Sequence, residues 1–152
     1  MPKASPVPQG HHTAAPYLVV DDANGAIAFY GKAFGAQELF RMPGPDGKIM
    51  HAEVLIGDSP IMLCDENPET GARSPKAFKG SPVSVFLYVP DVDALFAKAV
   101  AAGATVVVPV TDMFWGDRYA QLVDPYGHAW QIATHVEDVS PQEMEARMAK
   151  MA

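Results

Sequence analysis

The chain repeats itself. Val20-Asp21-Asp22 opens a run that ends in Phe34-Gly35-Ala36, and Val89-Pro90-Asp91 opens a second run that ends in Ala102-Gly103-Ala104. Further on in each copy, Ala52-Glu53-Val54-Leu55 is echoed by Ala120-Gln121-Leu122-Val123. A duplication of this kind means one supersecondary unit used twice, each copy too small to bury its apolar face alone.

The first copy spells out the unit. Tyr17 to Val20 is a short apolar strand, and Asp22 is suited to cap a helix because its carboxylate accepts from free backbone N–H groups. Ala26, Ile27, Phe29, Tyr30, Ala33 and Phe34 recur at helical spacing before Gly35 stops the helix. Three strands are predicted next, over 37–42, 48–56 and 61–64, the first two joined by the turn Pro43-Gly44-Pro45-Asp46-Gly47. In the second copy a strand over 83–89 leads to Asp91, and the helix bears Val92, Leu95, Phe96, Ala99 and Val100. Gly103 ends it, and strands follow over 105–110, 118–123 and 128–134. The last two flank Asp124-Pro125-Tyr126-Gly127, where Pro fixes φ and Gly takes a positive φ.

The expected fold is α+β: two paired βαβββ modules at 16–66 and 83–135, joined by a linker at 67–82. A proline-rich arm at 1–15 precedes them. Residues 136–152 follow, with Ser140, Pro141 and Glu143 marking the start of a C-terminal helix. Met144, Met148 and Met151 are expected to pack.

Composition narrows the function classes. A net charge of −7 without a Lys/Arg cluster argues against a nucleic-acid partner. No apolar run reaches the ~18 residues of a membrane span, and the N-terminal residues show no signal-peptide core. Cys64 is the sole cysteine, which suits a reducing cytoplasm and a buried strand position. His11 and His12 are expected in solvent, and His135 at the surface where the last strand ends.

Taken together, Pro16 to Asp22, Phe29-Tyr30 with Ala33 to Ala36, and Asp124 to Trp130 resemble the vicinal oxygen chelate superfamily. That superfamily holds glyoxalase I, bleomycin-resistance proteins and extradiol dioxygenases, and the resemblance is nearest to its branch associated with phosphonate operons. It covers roughly residues 12 to 136. It implies that each module curls its sheet into a half-open cup, that paired modules enclose a ligand cavity, and that the chain forms a homodimer.

The resemblance also raises the question of metal. Metal-dependent members chelate a divalent ion through His and Glu, and the pattern falls here on Ala15, Met62, Ser84 and Gln131. Ala and Met offer no oxygen or nitrogen donor, and Ser and Gln are poor substitutes for imidazole and carboxylate. The expectation is therefore no cofactor, with one divalent metal ion on relocated ligands as the alternative. His51 and Glu53, two residues apart on one strand face, are the candidates for a metal or acid–base pair.

The sequence thus points to a small organic molecule held in the cup, an antibiotic or toxic metabolite that is sequestered. A metal-dependent lyase, isomerase or dioxygenase is the alternative. Phe114, Trp115, Arg118 and Tyr119 form an aromatic and cationic set near the mouth of the second cup. Glu53, Ser84, Gln121 and Gln131 would orient the ligand, and Met62, Phe86 and Trp130 would wall it, with core packing the alternative for Trp115 and Trp130.

Overall fold

A computed structural model describes residues 3–152, so the first two residues of the predicted arm lie outside the described residues. The first module comprises β1 (Tyr17–Val20), α1 (Ala23–Phe34), β2 (Gln37–Pro43), β3 (Ile49–Ile56) and β4 (Ser59–Asp65). The second comprises β5 (Ser84–Tyr88), α2 (Val92–Ala102), β6 (Thr105–Asp112), β7 (Asp117–Val123) and β8 (Ala129–His135). A helix α3 (Pro141–Ala149) follows. Each module forms a mixed four-stranded sheet, ordered β1-β4-β3-β2 and β5-β8-β7-β6. β1 runs parallel to β4 and β5 parallel to β8, and the other pairs are antiparallel.

Matching local devices fix the two helices. Asp22 and Asp91 cap α1 and α2 by accepting from the backbone N–H groups of Gly25 and Ala94, at 3.0 and 3.1 Å. Gly35 closes α1 at φ 68°, a conformation that costs glycine no steric penalty. The last strand of each module then reaches the first turn of its helix. Asp65 accepts from the Ala23 N–H at 2.7 Å, and Thr134 accepts from the Val92 N–H at 2.8 Å. The duplication therefore extends to the joints, with a hydroxyl in one copy doing what a carboxylate does in the other.

Strand alternation sorts each sheet into two faces. Val20, Ala52, Val54, Ile61 and Leu63 of the first sheet are buried beside the helices, as are Leu87, Ala120, Leu122, Trp130 and Ile132 of the second. These residues share one core, in which α1 packs against α2. Tyr30 and Phe34 of α1 lie against Trp130 of β8, with ring centroids 5.3 and 4.5 Å apart. The helices thus form a middle layer, and the opposite faces of both sheets turn away from it.

Outside the modules the linker takes on local structure, and one expectation changes. Residues 67–82 are shaped by a bridge between Asn67 and Ala72 and a 3-10 turn over Pro75–Phe78. Met148 and Met151 do not pack as expected, being 55% and 68% exposed, while Met144 is half-buried. Ser140 caps α3 at the Glu143 N–H, and Arg147 anchors it by donating to the Phe114 carbonyl and the Glu137 carboxylate. Charge, not methionine burial, docks this helix.

Candidate ligand-binding faces

Most of the residues singled out from sequence divide between the outward faces of the two sheets. On the first, β3 presents His51 and Glu53, and the register sets Glu53 and Tyr17 each opposite Met62. The side chains form one chain of hydrogen bonds. The Tyr17 hydroxyl lies 3.0 Å from His51 Nδ1, and His51 Nε2 lies 3.1 Å from Glu53 Oε1. His11 Nε2 completes it 2.9 Å from Glu53 Oε2. His11 is thus not in open solvent. It clamps the N-terminal arm onto the first sheet, a contact between residues too distant in sequence for local pattern to reveal.

The hydrogen bond from His51, joined by one from His11, holds the Glu53 carboxyl below the usual carboxylate range. Tyr17 moves the other way: burial, with the neighbouring Cys64 thiol, pushes its phenol up to about 12. Near neutral pH the face therefore holds an ionised carboxylate and a protonated phenol. Cys64 is buried as expected, and burial raises its thiol. A cleft of about 890 Å³ reaches Tyr17 and Cys64 between the β2–β3 turn and residues 65–72.

The second face carries the other polar set. Gln131 on β8 lies opposite Phe86 of β5 and Gln121 of β7. The Gln121 amide donates to the Tyr119 hydroxyl, and that hydroxyl donates to Gln131 Oε1. The Gln131 amide in turn donates to Ser84 Oγ at 2.6 Å. Aromatic rings border this chain: Phe86 lies 4.8 Å from Tyr88 and 6.1 Å from Tyr119, and Trp115 lies 5.7 Å from Tyr119. Phe86 and Tyr88 remain 40% and 65% exposed, so an apolar platform faces outward. Next to it, a cleft of about 600 Å³ runs between Phe34, the β3–β4 turn and Phe86 to Asp91.

Asp117, absent from the sequence-derived set, holds the rim. It is buried, and its carboxylate accepts from Trp115 Nε1 at 2.9 Å, the Tyr88 hydroxyl at 3.1 Å and His135 Nδ1 at 2.8 Å. The alternation that placed Tyr119 and Gln121 on the outward face extends to Asp117 by parity. Phe114 packs edge-on against Trp115 and hands its carbonyl to Arg147.

Two expectations are corrected. Trp130 walls no ligand face. It is 1% exposed in the core, and its indole N–H donates to Asp124 at 2.8 Å. Arg118 shares the helix-facing parity of Ala120 and Leu122. Its guanidinium is taken by Asp93, at 2.7 and 2.8 Å, and by Asp112 at 3.1 Å, so it is not poised for a ligand carboxylate. A core tryptophan and a lining tryptophan have the same composition signal, and only strand parity separates them.

The four positions of the superfamily's metal pattern can be tested on donor chemistry. Met62 and Gln131 occupy equivalent strand positions, as do Ala15 and Ser84 just before and at the start of β1 and β5. Gln131 and Ser84 are already bonded to each other. A methyl, a thioether, a hydroxyl and an amide do not make a set for a hard divalent ion.

Paired βαβββ modules with helices on one side of each sheet and open, ligand-sized faces on the other define the vicinal oxygen chelate class. The chain belongs to the Glyoxalase/Bleomycin resistance protein/Dioxygenase superfamily, whose family model matches residues 9–132. Protein Rv0887c of Mycobacterium tuberculosis is 49% identical over 138 residues, which cover 89% of this chain and 81% of that protein. The solved structure of the Arabidopsis thaliana gene product At5g48480 is 30% identical at a TM-score of 0.66, covering 80% of this chain and 98% of its own. TioX from Micromonospora sp. ML1 is also 30% identical, with a TM-score of 0.63 and coverage of 81% and 99%.

Proposed function

We propose that this protein binds a small organic molecule, an antibiotic or a toxic metabolite, and sequesters it in a cup completed by a second copy of the chain. The observation that carries the reading is the second sheet's outward face, where an exposed aromatic platform borders a chain of uncharged hydrogen-bonding groups. Such a surface suits an organic ligand that buries rings and satisfies a few polar atoms. The donor chemistry at Ala15, Met62, Ser84 and Gln131 supports binding without the superfamily's metal.

The layering supports the homodimer. Within one chain the two candidate faces point away from the shared helix layer, so neither can close over a ligand alone. Tyr17, Phe40, Phe86 and Tyr88 are large rings left 40–65% exposed on these sheets. An isologous pair would set one protomer's first face beside its partner's second face, giving two equivalent cups. No helix among the described residues is long and apolar enough to cross a membrane. We assign the protein to the cytoplasm, where the lone Cys64 suits the reducing conditions.

The second reading, a metal-dependent lyase, isomerase or dioxygenase, rests on one cluster, which among the described residues is not arranged as a metal-holding group of three. His11, His51 and Glu53 bring two imidazoles and a carboxylate together on the first face. One experiment separates the readings: calorimetric titration of an aromatic ligand library, in chelator and again with divalent metal. Sequestration expects stoichiometric binding in chelator and intact ligand on recovery. Binding or conversion that requires metal and is lost in His51→Ala would overturn it in favour of the enzyme.

A further inference from the structure

The hydrogen bonds of the second face run in one direction, and that direction specifies what a ligand must bring. Tyr119 has a single hydroxyl hydrogen, and it is given to Gln131 Oε1. The Gln121 amide must then be the donor to the Tyr119 oxygen, and Gln121 Oε1 is left with no hydrogen-bond partner among the described residues. The Gln131 amide gives one hydrogen to Ser84 and retains a second. Gln121 and Gln131 are direct cross-strand partners, with Cβ atoms about 5 Å apart for such a pair. The face therefore presents one free acceptor beside one free donor.

Charge is missing from this surface. No ionised side chain takes part in the Gln121–Tyr119–Gln131–Ser84 chain. Asp117, the nearest carboxylate on the same strand face, is buried and saturated by three donors. On this face itself a carboxylate or ammonium group of a ligand finds no counter-ion, whereas an uncharged amide edge finds both of its partners.

We propose that the second face recognises an uncharged planar heteroaromatic molecule through a lactam or carboxamide edge. The ligand N–H donates to Gln121 Oε1, the ligand carbonyl accepts from the free Gln131 N–H, and the ring plane rests on Phe86 and Tyr88. This deepens the binding reading above and rests on it. It also sets aside the cationic ligand that the acidic overall charge would suggest, because local hydrogen-bonding groups, not net charge, govern selection at the face.

The test uses the full chain and three matched probes: quinolin-2(1H)-one as the neutral lactam, quinoline-2-carboxylate as the anion and 1-methylquinolinium as the cation. Affinities come from calorimetry, and contacts from the side-chain amide signals of Gln121 and Gln131 in nitrogen-15 NMR spectra. The lactam is expected to bind about tenfold or more tighter than either ion and to shift both amide signals. Gln121→Glu should transfer the preference to the cation, and Gln131→Leu should erase the lactam's advantage while the NMR spectrum confirms the fold. Tighter binding of a charged probe at this face would overturn the ligand class and leave the binding reading standing. Lactam binding that leaves both amide signals unmoved would do the same. If no probe perturbs the face, both fall.

Discussion

Asp124 carries more of this structure than any surface ion pair. It is 4% exposed, and one carboxylate oxygen accepts from the Tyr30 hydroxyl at 2.7 Å and the Trp130 indole at 2.8 Å. The other accepts from the backbone N–H groups of Tyr126 and His128, at 2.9 and 3.0 Å. One side chain thus shapes the β7–β8 turn and ties it to the helix of the other module. Asp124→Ala would strand four donors in or near the core, and the expected loss is about 3–5 kcal/mol by urea unfolding, as for breaking a buried charged network. A loss under about 1 kcal/mol would show that water replaces the carboxylate, a result that buried donors should not permit. His135 supplies a prediction on pH. Its hydrogen bonds to Asp138 and Asp117 raise its imidazole above the ordinary value of 6.5. A raised folded-state value stabilises the fold fully below the unfolded value and ceases to do so as pH rises through the folded one. The stability advantage of the wild type over His135→Gln should therefore be largest near pH ~5.5 and shrink toward pH ~8. A difference constant over that window would mean that the imidazole acts only as a neutral donor.

The elements were mostly legible from their local signals. Asp22, Gly35, Asp91, Gly103 and Ser140 all end or begin helices where the caps predict, because a cap is read from one residue and its immediate neighbours. Strand parity likewise put His51 with Glu53 and Tyr119 with Gln121 on shared faces. What stayed hidden depended on distant partners. His11 meets Glu53 across the first sheet, and His128 donates to the Val19 carbonyl at 2.8 Å across the module boundary. Residue type alone points Arg118 and Trp130 to the cup, although their own alternation with Ala120 and Ile132 places them on the helix side. The loop before β7 offers a test at this scale. Gly116 has φ 101°, and its carbonyl accepts from the N–H groups of Val136 and Glu137 at 2.9 and 3.0 Å. A Cβ there would collide with the Glu137 backbone carbonyl. Gly116→Ala should cost about 2 kcal/mol or more in thermal or urea unfolding, and should loosen Trp115 from Asp117, read as a red-shifted tryptophan emission. An unshifted emission with unchanged stability would show that the 136–139 segment yields without consequence.

At the scale of the whole molecule, duplication has produced two modules that are alike in plan and unlike in chemistry. Equivalent strand positions hold His51 and Glu53 in the first and Tyr119 and Gln121 in the second, so one open face is ionisable and the other uncharged. The helix-facing sides stay apolar over most of their length, because both serve one core. Tyr30 and Phe34 of the first module pack at a tilt on Trp130 of the second, and the buried cluster passes from Leu18 to Ile132 without a break. Neither half can bury this surface alone: a fragment of residues 1–82 would expose Tyr30 and Phe34, and one of residues 83–152 would expose Trp130. Burying side chains of this size is worth about 1.5–3 kcal/mol each, comparable in sum to the whole stability of a small domain. The separate fragments should therefore be unfolded, with narrow amide dispersion in NMR spectra. The intact chain should melt in one calorimetric transition whose measured and van't Hoff enthalpies agree. Mixing the fragments should restore dispersion, because the missing partner surface is then supplied in trans. A fragment that folds alone, or a chain that melts in two steps, would show that each module keeps a core of its own and that the helix layer is only an interface between two domains.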